Sequence, residues 1–201
     1  STDASVELAL THLSLMDSDL AETSARPALV LIHGSYQNRR LWWADSGACL
    51  AKELVLLGAD VWLLELRGHG ISPVNQRYDE NTLTDYAGYD LPAVDMFVRE
   101  HTCSDVHWLG HGTGAGVLLA ALASNSIAIT AGGSVMGMGC PFFRPKRPRI
   151  RDVTRLMAAG RATMNLDYGP EAEPVSFLQD LARKGSGFAR GDESPQHDLW
   201  Q

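Results

Sequence analysis

Three short segments carry residues whose types and spacing suit chemistry: "HGSYQN" from His33, "RGHGIS" from Arg67 and "GHGTGA" from Gly110. Each follows an apolar run and contains glycine, as at a strand end where backbone must bend sharply or approach a ligand closely. A strand, a glycine turn and a helix in that order can present a nucleophile, cradle a pyrophosphate or turn a corner. The nucleophile reading needs a hydroxyl, thiol or carboxylate at the apex of the turn, and the apex of "GHGTGA" is Gly112, which has no side chain. The pyrophosphate reading is met formally by G-x-G-x-x-A. It also wants an acid about 20 residues further on to hold ribose hydroxyls. The chain continues "SNSIAITAGGSVMGMGC" and offers none. A P-loop fails because no Lys-Ser or Lys-Thr follows the glycines.

The elements that position these turns are legible from hydrophobic patterning. "PALVLIHG", "ADVWLLELRGHG" and "DVHWLGHG" are continuous apolar runs, with a weaker copy in "AGGSVMGMGC". Continuous runs imply strands buried on both faces, as in a parallel sheet. "SVELALTHLSL" alternates instead and predicts a half-exposed strand. Helices are predicted over "WADSGACLAKELVLLG", closed by Gly58, over "TLTDYAGYDLPAVDMFVREH" and over "GAGVLLAALASN". Pro92 is expected to begin the main part of the second, because an interior proline costs about 3 kcal/mol. Strand and helix in alternation give an α/β sandwich with a mostly parallel sheet, whose ligand sites lie at the carboxyl ends of the strands. All three glycine motifs fall there. From Pro141 the chain turns proline- and arginine-rich and then helical, so a core over 1–140 and a helical or irregular segment over 141–201 are expected.

Bulk composition narrows the function. With 201 residues and a net charge of −7, the chain holds one sizeable core and lacks the positive balance of a nucleic-acid binder. No apolar run reaches the roughly 18 residues of a membrane span, and the first residues lack the basic-then-apolar order of a secretory signal. Cys49, Cys103 and Cys140 lie far apart without zinc spacing, as expected of reduced thiols in a cytoplasmic protein. The run from Arg144 to Arg151 is a local basic patch. It suits a solvated loop or an anionic partner near the site entrance.

On these motifs the stretch from about Pro27 to Cys140 resembles the α/β-hydrolase superfamily of esterases and lipases. "LIHGSYQNRRLWW" resembles the segment that supplies an oxyanion-hole amide, here from Ser35 or Tyr36. "VHWLGHGTGAG" resembles the nucleophile elbow, where the family has G-x-S-x-G. Gly110 and Gly114 fill the flanking glycine places, and Gly112 stands where the family's serine would be. The resemblance implies a second oxyanion amide from Thr113, whose side chain is expected to point away from the nucleophile place. It also implies a ligand pocket near His33, Gly34, Tyr36, His111, Trp42 and Phe142, with Trp43 and Phe143 as further aromatic candidates. For His33, His69 and His111 the expected roles are loop orientation and packing rather than proton transfer. No cofactor and no metal are implied.

The resemblance stops short of a full catalytic triad. The family places an acid and then a histidine after later strands, whereas here only His197 follows the elbow among histidines, and Asp152, Asp167, Asp180, Asp192 and Asp198 end no buried strand. The expected fold is therefore an α/β-hydrolase sheet flanked by helices that stops inside or just after the cap region. Its incomplete sheet edge would invite self-association or a complementing chain. The expected function is that of a relative of carboxylic ester hydrolases, inactive or strongly impaired for want of a nucleophile: a pseudoenzyme meeting a small apolar ester or acyl ligand. A noncatalytic small-molecule or partner-binding protein on the same scaffold is the alternative, with a dinucleotide-binding protein behind it.

Overall fold

The structure is a computed structural model describing residues 6–15, 26–45 and 47–140. The expected cap-like segment over 141–201, with Phe142, Phe143, His197 and the late aspartates, lies outside the described residues.

Five strands form one sheet: β1 (Ala9–Leu13), β2 (Ala28–Ile32), β3 (Asp60–Glu65), β4 (Val106–His111) and β5 (Val135–Met138). Their order is β1-β3-β2-β4-β5. The alternating segment forms β1, antiparallel to β3, while the continuous apolar runs form parallel pairs. Alternate residues of these runs enter different cores. Val30, Ile32, Trp62, Leu64, Val106 and Trp108 pack in one with helical residues such as Leu91, Val98 and Leu118. Leu31, Val61, Leu63 and Leu109 pack in the other with Trp42 and Ala51. Burial on both faces is why these strands show no polar alternation.

The chain order creates the crevice. From β2 the chain moves outward to β3, then crosses back to β4 on the other side of β2, so the loops leaving β2 and β4 diverge. The helix α1 (Leu50–Leu56) packs with one core and α4 (Thr113–Ala123) with the other. Such a switch point at the carboxyl ends of parallel strands is where open α/β sheets bind ligands.

Two helices differ from the pattern expected. The first is confined to Leu50–Leu56, because Cys49 just before it is extended and Gly47 has φ +83°. Gly58, at φ +93°, closes it as expected. The main part of the second begins as expected, with Pro92 in the first turn of Leu91–Thr102, but a turn that the pattern did not show precedes it. Its helical path runs from α2 (Leu83–Asp85), capped by a reciprocal Thr82–Asp85 box, through a π turn (Tyr86–Asp90) into α3 (Leu91–Thr102). Leu91 N–H bonds to the Tyr86 carbonyl across the wide turn. Placing the proline directly after this wide turn accommodates its missing donor where the regular ladder is already interrupted.

The same turn ends on a buried ion pair. Arg67, just after β3, gives one guanidinium edge to Asp90, Nε donating to Oδ2 at 2.8 Å and Nη2 to Oδ1, and its Nη1 donates to Asn81 Oδ1 at 3.2 Å. Tyr86 stacks under the guanidinium at 5.3 Å. The pair fastens the "RGHGIS" loop to the helical layer. Arg67→Ala would strand the Asp90 carboxylate in the core. Unfolding in urea is expected to show a loss of about 3–5 kcal/mol, and a loss within about 1 kcal/mol would contradict a fastening role.

Candidate active site

Gly112 links β4 to α4 with φ +54° and ψ −119°, a conformation that side chains rarely adopt. Its N–H donates to the Met138 carbonyl at 2.8 Å, and its own carbonyl accepts from Gly116 N–H at 3.2 Å. The flanking glycines are demanded by space. A Cβ on Gly110 would lie 2.7 Å from Ala115 Cα, and one on Gly114 would lie 2.3 Å from the His33 carbonyl oxygen. At Gly112 itself a Cβ would meet only Gly34 Cα, at an ordinary 3.6 Å. The turn is therefore built tightly around an apex that has room for a side chain and carries none.

Opposite the apex, the loop leaving β2 is tied down by polar bonds. His33 is fully buried, and its Nε2 accepts from Leu66 N–H at 3.1 Å. Its Nδ1 lies 2.8 Å from the Gly34 carbonyl, so the proton must sit on Nδ1 and the ring is neutral. Burial holds this imidazole well below its ordinary proton affinity, and the neighbouring His69 and His111 add to the effect. His69 in turn has Nδ1 3.0 Å from the Arg67 carbonyl. These contacts tie both rings into the loops, and His33, expected near the pocket, is not among the residues that line it.

Gln37 is the residue that pattern reading missed. Its Oε1 accepts from Gly34 N–H at 2.9 Å and lies 3.0 Å from His111 Nδ1, so one side chain joins the β2 loop to the last residue of β4. The signal available in the sequence was its place three residues after Gly34, where a turn closes with Gln37 N–H on the Gly34 carbonyl at 3.2 Å. Buried Glu65 anchors the loop further along, accepting from Arg39 N–H at 3.1 Å and from its guanidinium at 2.8 Å.

Gly34, Ser35, Gln37, His111, Gly112, Thr113 and Gly139 line a pocket of about 230 Å³ between these segments. Ser35 and Thr113 are joined across it, with Ser35 Oγ donating to Thr113 Oγ1 at 3.1 Å. The Thr113 side chain is thus held by Ser35. Neither Ser35 N–H nor Thr113 N–H has a partner among the described residues, and Thr113 opens a helix whose first amides have no acceptor within it. Two such donors at the rim of one small pocket suit a developing oxyanion. Tyr36, at φ +55°, stands outside the pocket lining. Trp42 is also set back: it is 4% exposed in the core beneath, with its ring edge-on to His111 at 6.3 Å. A larger cleft of about 500 Å³ lies at the opposite, amino end of β2 and β4, lined by residues such as Pro27, Asp105 and His107. No helix N-terminus is among its lining residues.

Among the described residues no three His, Cys, Asp or Glu side chains group to hold a metal ion, and no helix is long and apolar enough to cross a membrane.

The Alpha/beta hydrolase family pattern matches residues 29–200. Human Lipase member K is 31% identical over 112 residues, 51% of this chain and 28% of its own. A probable lipase of Schizosaccharomyces pombe is 26% identical over 153 residues, 71% of this chain and 32% of its own. The chain thus spans about a third or less of these relatives. Among solved structures, a Bacillus licheniformis lipase in its mature form superposes with a TM-score of 0.55 at 15% identity, covering 95% of this chain and 68% of that one. At that identity the likeness concerns the fold.

Two measurements check the site geometry. Gly112→Ala should fold and lose about 1–3 kcal/mol to backbone strain, while Gly114→Ala, driven against the His33 carbonyl, should lose more. Equal losses would contradict the packing described. Stability should also fall with acid. The unfolded chain takes up a proton near pH 6.5 that buried His33 refuses, so stability present above that pH is lost below it, at up to about 1.4 kcal/mol per pH unit. His33→Gln should be less stable but flatter between pH 6.5 and 5, and an unchanged slope would contradict the assignment.

Proposed function

The chain belongs to the alpha/beta hydrolase family, and from that premise we propose that it carries an ester-binding site with the oxyanion framework of a hydrolase and no covalent nucleophile. The observation that carries this reading is the elbow itself. Gly112 holds a positive φ of 54° between two glycines that admit no Cβ, yet its own position has room. In an acyl-enzyme hydrolase a serine hydroxyl at that apex attacks the ester carbonyl, and removal of the nucleophile from a well-studied serine protease costs about a million-fold in turnover. Here the attack has no agent at residue 112.

What remains suits recognition of a carbonyl. The amides of Ser35 and Thr113 would accept its oxygen, and the pocket of about 230 Å³ takes a small ester head rather than a long chain. The names of the matched relatives support an ester or acyl ligand over a nucleotide. So does the chain order of the sheet, which puts the elbow after β4 at the switch point rather than on the first strand of a dinucleotide unit.

The test is Gly112→Ser. The serine variant is expected to form a covalent adduct with an aryl organophosphonate, seen by intact mass, and to gain turnover of short-chain aryl esters. The parent should form no adduct. Failure of the serine variant to gain either property would overturn the reading of residue 112 as the vacated nucleophile place.

A further inference from the structure

The bonds around Gln37 fix the protonation of His111. Gly34 N–H can only donate, so the Gln37 atom 2.9 Å from it is the amide oxygen and not the nitrogen. That oxygen also lies 3.0 Å from His111 Nδ1. Two lone pairs do not face each other at that distance, so Nδ1 carries the proton. Burial lowers the proton affinity of the ring, which keeps it neutral. A neutral imidazole protonated on Nδ1 has its free lone pair on Nε2. That atom lies toward Gly139, 3.9 Å from where a Gly139 Cβ would stand, and both residues line the pocket. One pocket lining therefore brings together His111 with a free Nε2 near Gly139, the bare apex at Gly112, and Ser35 and Thr113 with their open amides.

From this arrangement we infer that His111 is a general base for water, so that the chain hydrolyses activated carboxylic esters in one displacement without a covalent intermediate. The inference rests on the ester-site reading above and adds the agent of attack. A water in the room left at Gly112 gives a proton to Nε2 as its oxygen bonds to the ester carbonyl carbon. The carbonyl electron pair moves to oxygen, where the two amides hold it. Collapse re-forms the carbonyl, breaks the bond to the leaving alkoxide or phenoxide, and the imidazolium returns its proton to that group. Water and ester become acid and alcohol, and the ring ends as it began. Gln37 is a positioning residue in this scheme, because it selects the tautomer that leaves Nε2 unprotonated.

The experiment follows 4-nitrophenyl acetate with the full chain, its His111→Ala and Gln37→Leu variants, and added imidazole. The parent is expected to turn over without a burst and without an acyl adduct by intact mass. His111→Ala should fall about 100-fold, as for loss of a general base, and imidazole should restore part of that loss while leaving the parent unchanged. Gln37→Leu retains the ring and should lower the rate while still binding an aryl trifluoromethyl ketone, which keeps the test in force if His111→Ala fails to fold. Equal rates for the parent and His111→Ala would overturn the proposal, as would an adduct on Ser35 or Thr113. Ketone binding without parental turnover would overturn the base role alone. Absence of both would remove the ester-site reading with it.

Discussion

The close approach of the first turn of α4 to the end of β2 is the contact on which the site depends. A methyl group at Gly114 would stand 2.3 Å from the His33 carbonyl oxygen, and one at Gly110 would collide with Ala115. With hydrogen in both places, the helix starts directly against the neighbouring strand end. Its first amide, at Thr113, then comes within reach of the loop at Ser35, and the two hydroxyls meet at 3.1 Å. Gly112 takes its unusual backbone angles because it must bridge this short path. Its wide φ is a consequence of the packing around it, and glycine bears that angle more cheaply than any other residue.

Proximity alone would leave a soft crevice, since both walls are loops. Polar bonds stiffen them from several directions. His33 joins the β2 loop to the end of β3 through Leu66 N–H, Gln37 joins it to β4, and Glu65 holds Arg39. The Arg67–Asp90 pair holds the "RGHGIS" loop to the π turn. His33, Glu65 and the Arg67–Asp90 pair are buried groups whose partners are backbone or an opposite charge, so the cost of burial is offset within the same contact. Chemistry and stability are coupled here through His33: the neutral ring that orders the loop is also the group that acid would force to charge.

Much of this was legible before any coordinates. Continuous apolar runs marked the parallel strands because both of their faces are covered, and the glycines at 34, 68, 70, 110, 112 and 114 marked the carboxyl ends where the crevice opens. The details that escaped were those decided by partners distant in sequence. Pro92 begins the main helix as its chemistry dictates, but the π turn that leads into it, Tyr86–Asp90, was not foreseen, because no local propensity announces such a turn. Trp42 was a candidate pocket wall, yet its neighbours Leu31, Val61 and Leu109 come from three different strands and enclose it in the core. Thr113 turns to Ser35 across 78 residues, and Gln37 reaches His111 across 74. A single side chain's long-range hydrogen bond leaves no periodic trace.

The central claim is that an oxyanion framework persists around an apex without a nucleophile. A crystal structure of the chain soaked with an aryl trifluoromethyl ketone tests it most directly. The account predicts the ketone oxygen, or that of its hydrate, within hydrogen-bond distance of the Ser35 and Thr113 amides, next to Gly112 and His111, with no covalent bond to protein. A ketone joined to a side-chain oxygen as a hemiketal, or one seated away from these amides, would contradict it.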